Sequence, residues 1–252
     1  MPDDRAIEMT ERLLREAGIG PGMHVLDVGC GPGKVTFMLA RIVGEGGRVV
    51  GIDRNEHALA KARAQASENG LANTSFVNAD LMAPPPAEPG YDAIVGRRVL
   101  MYQPDRLAVV RALARVVRPG GVVAFQETDA SMVPAAMTPH PLHDKAYGWL
   151  WETIAREGAT RSMGLELPVV LREAGLVVGG IRAEAIVQVA GRRHHTASIV
   201  RAIVPRIVAH GVATEAEIDI DTLDARLADE LERTGAAYVG DMVFCAWATK
   251  PA

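Results

Sequence analysis

The first half of the chain alternates short apolar runs with segments of helical periodicity. The run at 48–52 is almost continuously apolar and rich in valine and isoleucine, which is typical of a strand covered on both faces. Leu59, Ala62 and Ala66 then share one face of a predicted helix. Strands that alternate with helices predict βαβ units and a parallel sheet. We predict strands at 23–28, 48–52, 74–78, 91–95 and 121–126.

The second half departs from this rhythm. Its patterns predict helices at 142–157 and 167–174 and strands at 176–189 and 238–249. The segment between the last two strands has a lopsided charge, with no acidic residue at 185–214 but eight acidic residues and one basic residue at 215–232. The arginines of its first part are Arg192, Arg193, Arg201 and Arg206.

This segment predicts two helices. The first has a broad apolar arc, and the second a narrower apolar stripe preceded by two capping signals, Thr214 with Glu217 and Asp221 with Asp224. The arc consists of Ile199, Val200, Ile203, Val204, Ile207 and Val208, and the stripe of Ile220, Leu223, Leu227 and Leu231. Two interpretations stay open. The helices pack on each other and on the core, or they form a lid or dimer surface whose apolar arc closes a substrate pocket.

A glycine-rich turn follows the first predicted strand, in the sequence VLDVGCGPGKVT at 25–36. Gly29, Gly31 and Gly33 allow positive φ angles and a close approach of a ligand to the backbone. Their spacing, G-x-G-x-G, differs from the G-x-G-x-x-G of dinucleotide-binding turns. Asp27 stands at the strand end, where a phosphate-binding loop would rarely place a negative charge. The turn therefore suits a ligand with an ammonium or sulfonium charge.

Carboxylates also follow the second and third predicted strands. Asp53 ends the second strand, where it can accept both hydroxyls of a ribose, and Asp80 follows the third, where it can accept from an adenine amine. Each aspartate alone is explained by a turn or a helix cap. Together with Asp27 they mark three consecutive strand ends, which is where ligands bind in such sheets.

Five motifs together resemble the Rossmann-like class of S-adenosylmethionine-dependent methyltransferases. They are VLDVGCGPG, GIDRN, NADL, YDAIVGRRVLMYQPD and VVRPGGVVAFQETD, in the family's order over about residues 20–130. The motif sequences are similar to those of the small-molecule branch, which includes ubiquinone- and menaquinone-biosynthesis-type methyltransferases. The resemblance implies an α/β fold with a doubly wound, seven-stranded mixed sheet, mostly parallel with an antiparallel last strand. The helical segment before that strand would be a cap.

The resemblance also implies residue roles toward S-adenosylmethionine. Asp27 with Gly29, Gly31 and Gly33 would hold the methionine portion of the cofactor. Asp53, in the motif that includes Arg54, would hold its ribose. Asp80 with Leu81 would hold its adenine. Arg97 matches a position near the methionine carboxylate. Lys34 departs from the family, and we expect it to point away from the sulfonium.

Acceptor-site candidates come from the fourth and fifth strands and the following crossover. They are Tyr102, Glu127, Asp129, Tyr147 and Trp149, with His140 and His143 as candidates for a general base. The alternative for both histidines is a solvated loop or a capping role. His194 and His195 lack a nearby carboxylate, so no metal site is predicted.

Composition excludes several classes of protein. Aromatic residues make up 4% of the chain and its net charge is −4, which argues against a nucleic-acid binder. Cys30 and Cys245 cannot form a disulfide framework, and no signal peptide or membrane helix is evident, so we expect a cytoplasmic protein. We predict one methyltransferase domain over 1–252, with substrate-cap elements at about 130–158 and 191–235, and a homodimer formed through the helical insert.

The sequence therefore predicts methyl transfer from S-adenosylmethionine to the O, N or C atom of a small-molecule acceptor, with S-adenosylhomocysteine as product. A noncatalytic or regulatory protein that binds the same cofactor is the main alternative. An NAD(P)-dependent oxidoreductase is disfavoured by Asp27 and by the glycine spacing.

Overall fold

An eight-stranded sheet organises the computed structural model, which describes residues 4–192 and 196–252. The strand order is β3-β2-β1-β4-β5-β8-β6, and β7 pairs with β8. The strands are β1 His24–Val28, β2 Arg48–Asp53, β3 Thr74–Asn78, β4 Tyr91–Arg97, β5 Val117–Asp129, β6 Ala135–Ala136, β7 Val177–Gln188 and β8 Tyr238–Thr249.

Helices connect the strands in the described part of the chain. They are α1 Asp4–Glu16, α2 Lys34–Val43, α3 Glu56–Glu68, a 3₁₀ helix Leu100–Tyr102, α4 Arg106–Val116, α5 Pro141–Arg156, α6 Met163–Glu173, α7 Thr196–Ala209, α8 Glu215–Ile218 and α9 Ile220–Thr234. None of the described helices is long and apolar enough to cross a membrane.

Strands β1 to β5 pair in parallel, and the strand order reverses beside β1. Asp27 of β1 lies level with Gly51 of β2 on one side and Val95 of β4 on the other. The connection after β1 runs toward β2, and the connection after β4 runs in the opposite direction. These two connections leave a crevice between them at the carboxyl ends of the strands. The glycine turn begins at that crevice.

The predicted doubly wound α/β fold is confirmed, with two differences in its strands. The sheet has eight strands where seven were predicted, because the short β6 adds an antiparallel edge pair in which Ala136 lies opposite Tyr238. β5 begins at Val117, before the predicted start at 121. The Gly120 N–H donates to the Lys250 carbonyl, so the strand already includes residues before its predicted start.

The chain divides into two compact units. The first, the sheet unit, contains Arg5–Glu127, Leu165–Arg182 and Phe244–Ala252. The second, the helical unit, consists mainly of Thr128–Gly164 and Ala183–Val243. Inside the helical unit, α5, α7 and α9 bury a shared apolar core. Its members include Ala146, Trp149, Val200, Ile203, Ile207, Leu223 and Leu227.

The predicted insert helices are present as α7 and α9. Thr214 and Glu217 form the predicted capping box at the start of α8. The predicted cap at Asp221 is wrong, because α9 begins earlier, after Asp219 in a left-handed conformation with φ 44°. Of the insert's other predicted features, Arg193, His194 and His195 lie outside the described residues.

Candidate functional site

The three turn glycines have positive φ angles of 64° at Gly29, 52° at Gly31 and 88° at Gly33. A side chain at Gly29 would lie 2.6 Å from Val99, and one at Gly33 would lie 2.7 Å from the Phe37 ring. Space beside Gly31, in contrast, is open. Two of the glycines therefore permit close packing of the turn, while Gly31 keeps its outer face accessible.

Asp27 lies at the end of β1 and is 1% exposed. Its Oδ2 accepts a hydrogen bond of 2.5 Å from the Thr36 hydroxyl, in the first turn of α2. Burial raises the pKa of Asp27 to about 7, against the lowering effects of Thr36 and of the nearby Arg97. A ligand cation beside Asp27 would favour its ionised form.

Asp53, at the end of β2, is tied to the turn by both carboxylate oxygens. Oδ2 accepts from the Gly31 backbone N–H at 2.9 Å, and Oδ1 accepts from the Asn55 N–H at 2.8 Å. A carboxylate oxygen has two lone-pair sites, so each retains one for a further donor. Asp53 can thus fix the glycine turn and bind two hydroxyls at the same time.

Asp80 follows β3 and is engaged differently. Its Oδ1 accepts from the Met82 backbone N–H at 2.8 Å, and Arg54 forms an ion pair with its Oδ2. The Met82 hydrogen bond and the Arg54 charge hold the pKa of Asp80 below its usual range. Leu81, beside it, is 8% exposed and supplies an apolar surface.

Arg98 has an unusual backbone conformation between β4 and the 3₁₀ helix. Its φ is 55°, a region that non-glycine residues rarely adopt, and its N–H donates to the Gln126 carbonyl at 2.8 Å. Strained backbone of this kind is enriched at binding sites. The sequence does not predict Arg98 as a site residue, because an arginine gives no local signal for this conformation.

Two cavities of the sheet unit meet at the glycine turn. One, of about 220 Å³, is lined by Gly29, Asp53, Arg54, Ala79, Leu81, Arg98, Val99, Tyr102 and Gln103. The other, of about 290 Å³, is lined by Asp27, Gly29, Cys30, Gly31, Pro32, Lys34, Val35, Arg97 and Arg98. Gly29 and Arg98 belong to both. The structure thus brings together most of the residues predicted to hold the cofactor, while Gly33 and Asp80 line neither cavity.

Glu127 lies next to this site but is fully buried and lines neither cavity. Its Oε1 accepts from the N–H groups of Val99 and Leu100 at 2.9 and 2.8 Å, and Oε2 accepts from that of Met101 at 3.4 Å. Burial raises its pKa to about 7 despite these bonds. Glu127 therefore caps the 3₁₀ helix, in place of the predicted position facing a substrate.

The remaining acceptor candidates lie in the helical unit. Asp129 is buried and accepts from the Ser131 N–H at 2.9 Å and its hydroxyl at 2.6 Å. His140 precedes α5 and is 1% exposed, with Nδ1 2.8 Å from the Thr138 carbonyl and Nε2 2.9 Å from the Thr234 hydroxyl. These bonds give both residues a local structural role.

His143 lies one turn further along, in α5, and is fully buried. Its Nδ1 is 2.7 Å from Oε2 of Glu230 in α9, and the Glu230 carboxylate also accepts from the backbone N–H groups of Leu142 and His143. These hydrogen bonds hold the pKa of Glu230 below its ordinary value, although its burial opposes them. His143, Gln188 and Thr196 line a separate cavity of about 270 Å³ within the helical unit.

Tyr147 and Trp149 occupy different environments of the same unit. The Tyr147 hydroxyl lies 3.1 Å from Gln188 and 3.5 Å from Asp241, and burial raises its pKa. Trp149 is 5% exposed and belongs to the apolar core of α5, α7 and α9. Both residues were predicted to face a substrate, but Trp149 instead packs within this core.

The cysteines and potential metal ligands add no further centre in the described part of the chain. Cys30 and Cys245 are buried free thiols, and Cys30 packs against the position of Gly51. Burial raises the pKa of the Cys30 thiol, which keeps it protonated and poorly nucleophilic. Among the described residues, no group of three or more His, Cys, Asp or Glu could hold a metal ion.

Comparisons with known proteins identify the family of the chain. A family model described as a methyltransferase domain matches residues 19–174. The demethylmenaquinone methyltransferase of Lactococcus lactis subsp. lactis (strain IL1403) is 33% identical over 123 residues, which cover 49% of this chain and 49% of that protein. The methyltransferase GfsG of Streptomyces halstedii is 39% identical over 119 residues, which cover 47% of this chain and 42% of that protein. The chain thus spans about half the length of the curated relatives it matches.

A solved structure shows a similarity of fold over nearly the whole chain. The crystal structure of a SAM-dependent methyltransferase from Aquifex aeolicus superposes with a TM-score of 0.58, at 20% identity, over 95% of this chain and 88% of that one. At that identity the likeness concerns the fold. The family model, however, covers more than half of the sequence and includes the whole glycine turn. The chain belongs to the methyltransferase-domain family, as the resemblance of its motifs predicted.

Proposed function

We propose that this chain transfers a methyl group from S-adenosylmethionine to a small-molecule acceptor. One observation supports this most strongly. The two cavities that meet at Gly29 and Arg98 present buried Asp27 on one side and Asp53 on the other. Such a pair of carboxylates, separated by an open glycine turn, suits a ligand with a cationic amino-acid end and a ribose.

Each part of the cofactor has a matching group in the sheet unit. Asp27 would accept from the methionine ammonium, and Arg97 would lie near the methionine carboxylate. Asp53 would accept from the ribose hydroxyls with its remaining lone pairs. Leu81 would cover one face of the adenine. Asp80 would reach the adenine amine only if Arg54 released its Oδ2, since Arg54 now occupies that oxygen.

The bound sulfonium supplies an activated methyl group, so the chain's residues mainly need to orient the reactants and exclude water. The turn fixes the ligand through Asp53, whose bond to the Gly31 N–H joins ribose recognition to turn geometry. Asp27 is held in place by Thr36. Tyr102, which is 45% exposed at the edge of the first cavity, is the candidate that would contact the acceptor.

For a general base we favour His143 over His140. Glu230 accepts at Nδ1 of His143, which places the ring proton there and the lone pair on Nε2. His143 also lines a cavity within the helical unit.

The chain's broader organisation is also proposed. We propose a single methyltransferase domain over 1–252 in which 130–158 and 191–235 select the substrate, a cytoplasmic location, no binding of nucleic acid, and a homodimer through the insert. The buried free thiols of Cys30 and Cys245 are compatible with a reducing compartment.

Calorimetric titration with S-adenosylmethionine, S-adenosylhomocysteine and NAD tests the proposal. We expect saturable binding of the first two ligands and none of NAD. Micromolar binding of NAD without binding of the sulfonium ligand would contradict the proposal and favour an oxidoreductase.

A deletion of about residues 192–235 would be the direct test of a substrate-selecting cap, but it would also strip the apolar core from α5. Leu227→Asp is a milder way to disrupt that core, since Leu227 is 5% exposed within it. If the cap selects the substrate, the folded variant should bind S-adenosylhomocysteine like the wild type and lose methyl transfer. Retained transfer in a folded variant would contradict this role.

A further inference from the structure

A further cavity of the sheet unit, partly apolar and not assigned above, lies between α1 and α2. It measures about 570 Å³, and we call it the α1–α2 groove. Its floor includes Ile19, Val35 and Phe37, which are all buried. Its rim includes the exposed side chains of Arg15, Lys34 and Arg41.

Helical spacing explains how these residues face each other. Ile7, Glu11 and Arg15 lie four residues apart along α1 and therefore share one face. Lys34, Met38 and Arg41 follow the same rule along α2, at intervals of four and three residues. The groove thus lies between two helix faces that each end in an arginine.

The charge of the groove opposes that of the chain. Arg15, Lys34, Arg41 and Arg97 line it against a single carboxylate, Glu11, in a chain of net charge −4. Within the described residues, no ion pair joins Arg15, Lys34 or Arg41 to a carboxylate. Three cations beside an apolar floor favour a ligand that has both an anionic group and an apolar body.

The groove adjoins the cofactor site. Lys34, Val35 and Arg97 line both the α1–α2 groove and the cavity that contains Asp27. A molecule in the groove would therefore lie next to the glycine turn. Since Arg97 is assigned to the cofactor, the other three cations are available for that molecule.

We propose that the α1–α2 groove binds the non-reacting part of the methyl acceptor and that the acceptor is an amphipathic organic anion. This inference rests on the proposed methyl transfer. Ile19, Val35, Phe37 and Met38 would bury its apolar body, and Arg15, Lys34 and Arg41 would hold its anionic group at the rim. The anionic group serves as an anchor, so the methylated atom belongs to another part of the acceptor.

Octanoate is a suitable probe, and 1-octanol is its uncharged counterpart of equal chain length. Calorimetry would use the full chain saturated with S-adenosylhomocysteine, so that the cofactor site is filled. We expect octanoate to bind at least about tenfold more tightly than octanol, as lost charge-assisted hydrogen bonds would require. Added NaCl should weaken octanoate binding and leave octanol binding unchanged.

Arg41→Glu tests the location of the anion, and Arg172→Glu on α6 is the matched control, because Arg172 is exposed and lies outside the groove. We expect the Arg41 variant to lose about tenfold or more in octanoate affinity while the control retains it. Binding of S-adenosylhomocysteine should be the same in both variants. Equal octanoate binding by both would overturn the inference.

The methyl resonance of Met38 provides a second readout of location. In protein labelled at the methionine methyl carbons, octanoate should shift this resonance, identified by its absence in Met38→Leu. A shift confined to other methionines, or no saturable octanoate binding, would overturn the inference. Failure of S-adenosylhomocysteine to bind would instead refute the proposed function, whatever octanoate does.

Discussion

The Thr36 hydroxyl donates a 2.5 Å hydrogen bond to the Asp27 carboxylate, across the glycine turn that separates β1 from α2. Both side chains are buried, with exposures of 0% for Thr36 and 1% for Asp27. A carboxylate in such a place needs a donor, since an unpaired buried charge is costly. Thr36 therefore acts as a positioning residue for Asp27.

Thr36→Val should lower the free energy of unfolding by about 1–3 kcal/mol, because it leaves the Asp27 carboxyl without its hydroxyl donor. It should also weaken binding of S-adenosylhomocysteine at neutral pH, since it makes ionised Asp27 less favourable. Urea denaturation and calorimetry measure the two effects. Thr36→Ser retains the hydroxyl and is the control. Equal effects of valine and serine would contradict the assigned role.

Stability should depend on pH through Asp27. The pKa of this carboxyl is about 7 in the folded protein and 3.8 as its ordinary value. Between these values the folded form keeps a proton that the unfolded chain has lost, so raising the pH favours unfolding. Relative to Asp27→Asn, the wild type should lose stability from about pH 4 to about pH 7 and change little outside that window. Urea denaturation at a series of pH values measures the free energy of unfolding of both proteins. If this free energy depended on pH in the same way in both, the predicted effect of Asp27 would be refuted.

Asp53→Ala should weaken binding of S-adenosylhomocysteine by about 1.5–3 kcal/mol, which is at least tenfold, because it removes a charged contact to the ribose. It also removes the acceptor for the Gly31 and Asn55 N–H groups. Glu45→Ala, a change at an exposed carboxylate outside the two cofactor cavities, is the control for loss of one charge. An affinity within about twofold of the wild type would refute the ribose assignment, since a charged contact contributes more binding free energy than that.

Glu127→Ala should lower the free energy of unfolding by about 3 kcal/mol, because it leaves buried N–H groups of the 3₁₀ helix without an acceptor. Glu127→Gln should be much milder, since an amide oxygen can still accept from Val99 and Leu100. Thermal and urea denaturation compare the variants. If alanine and glutamine were equally harmless to stability but both abolished methyl transfer, Glu127 would be a substrate contact instead of a cap.

Glu230→Ala should loosen the contact between α5 and α9, because it removes the acceptor of the Leu142 and His143 N–H groups. Amide hydrogen exchange at these two residues should accelerate, whereas Glu230→Gln should preserve part of the protection. The pKa of Glu230 is lowered, so its ionised form stabilises the fold above its ordinary pKa of 4.5, and that contribution is lost as the pH falls below it. Unchanged exchange at Leu142 would contradict this role.

The sequence was sufficient to predict the fold and the glycine turn, and most of the residues proposed to hold the cofactor line the two cavities beside that turn. Gly29 and Asp53 could be placed because glycine spacing and strand periodicity are local signals, and because parallel strands bring their carboxyl ends to one edge. β6 was missed because two residues carry no periodicity. β5 was predicted to begin too late because Pro119 and Gly120, which usually mark a turn, lie within the strand, where the Gly120 N–H donates to Lys250.

Side-chain partners far apart in sequence were decided only by the tertiary structure. Glu127 looked like a pocket residue, and only its approach to the N–H groups of Val99 and Leu100, 28 and 27 residues away, made it a buried cap. His143 has its partner, Glu230, 87 residues away. Residue types and short spacings determine strands, turns and the glycine site, because these depend on neighbouring residues. The depth of burial, and with it the role of each carboxylate and histidine, depends on which distant segments pack against them.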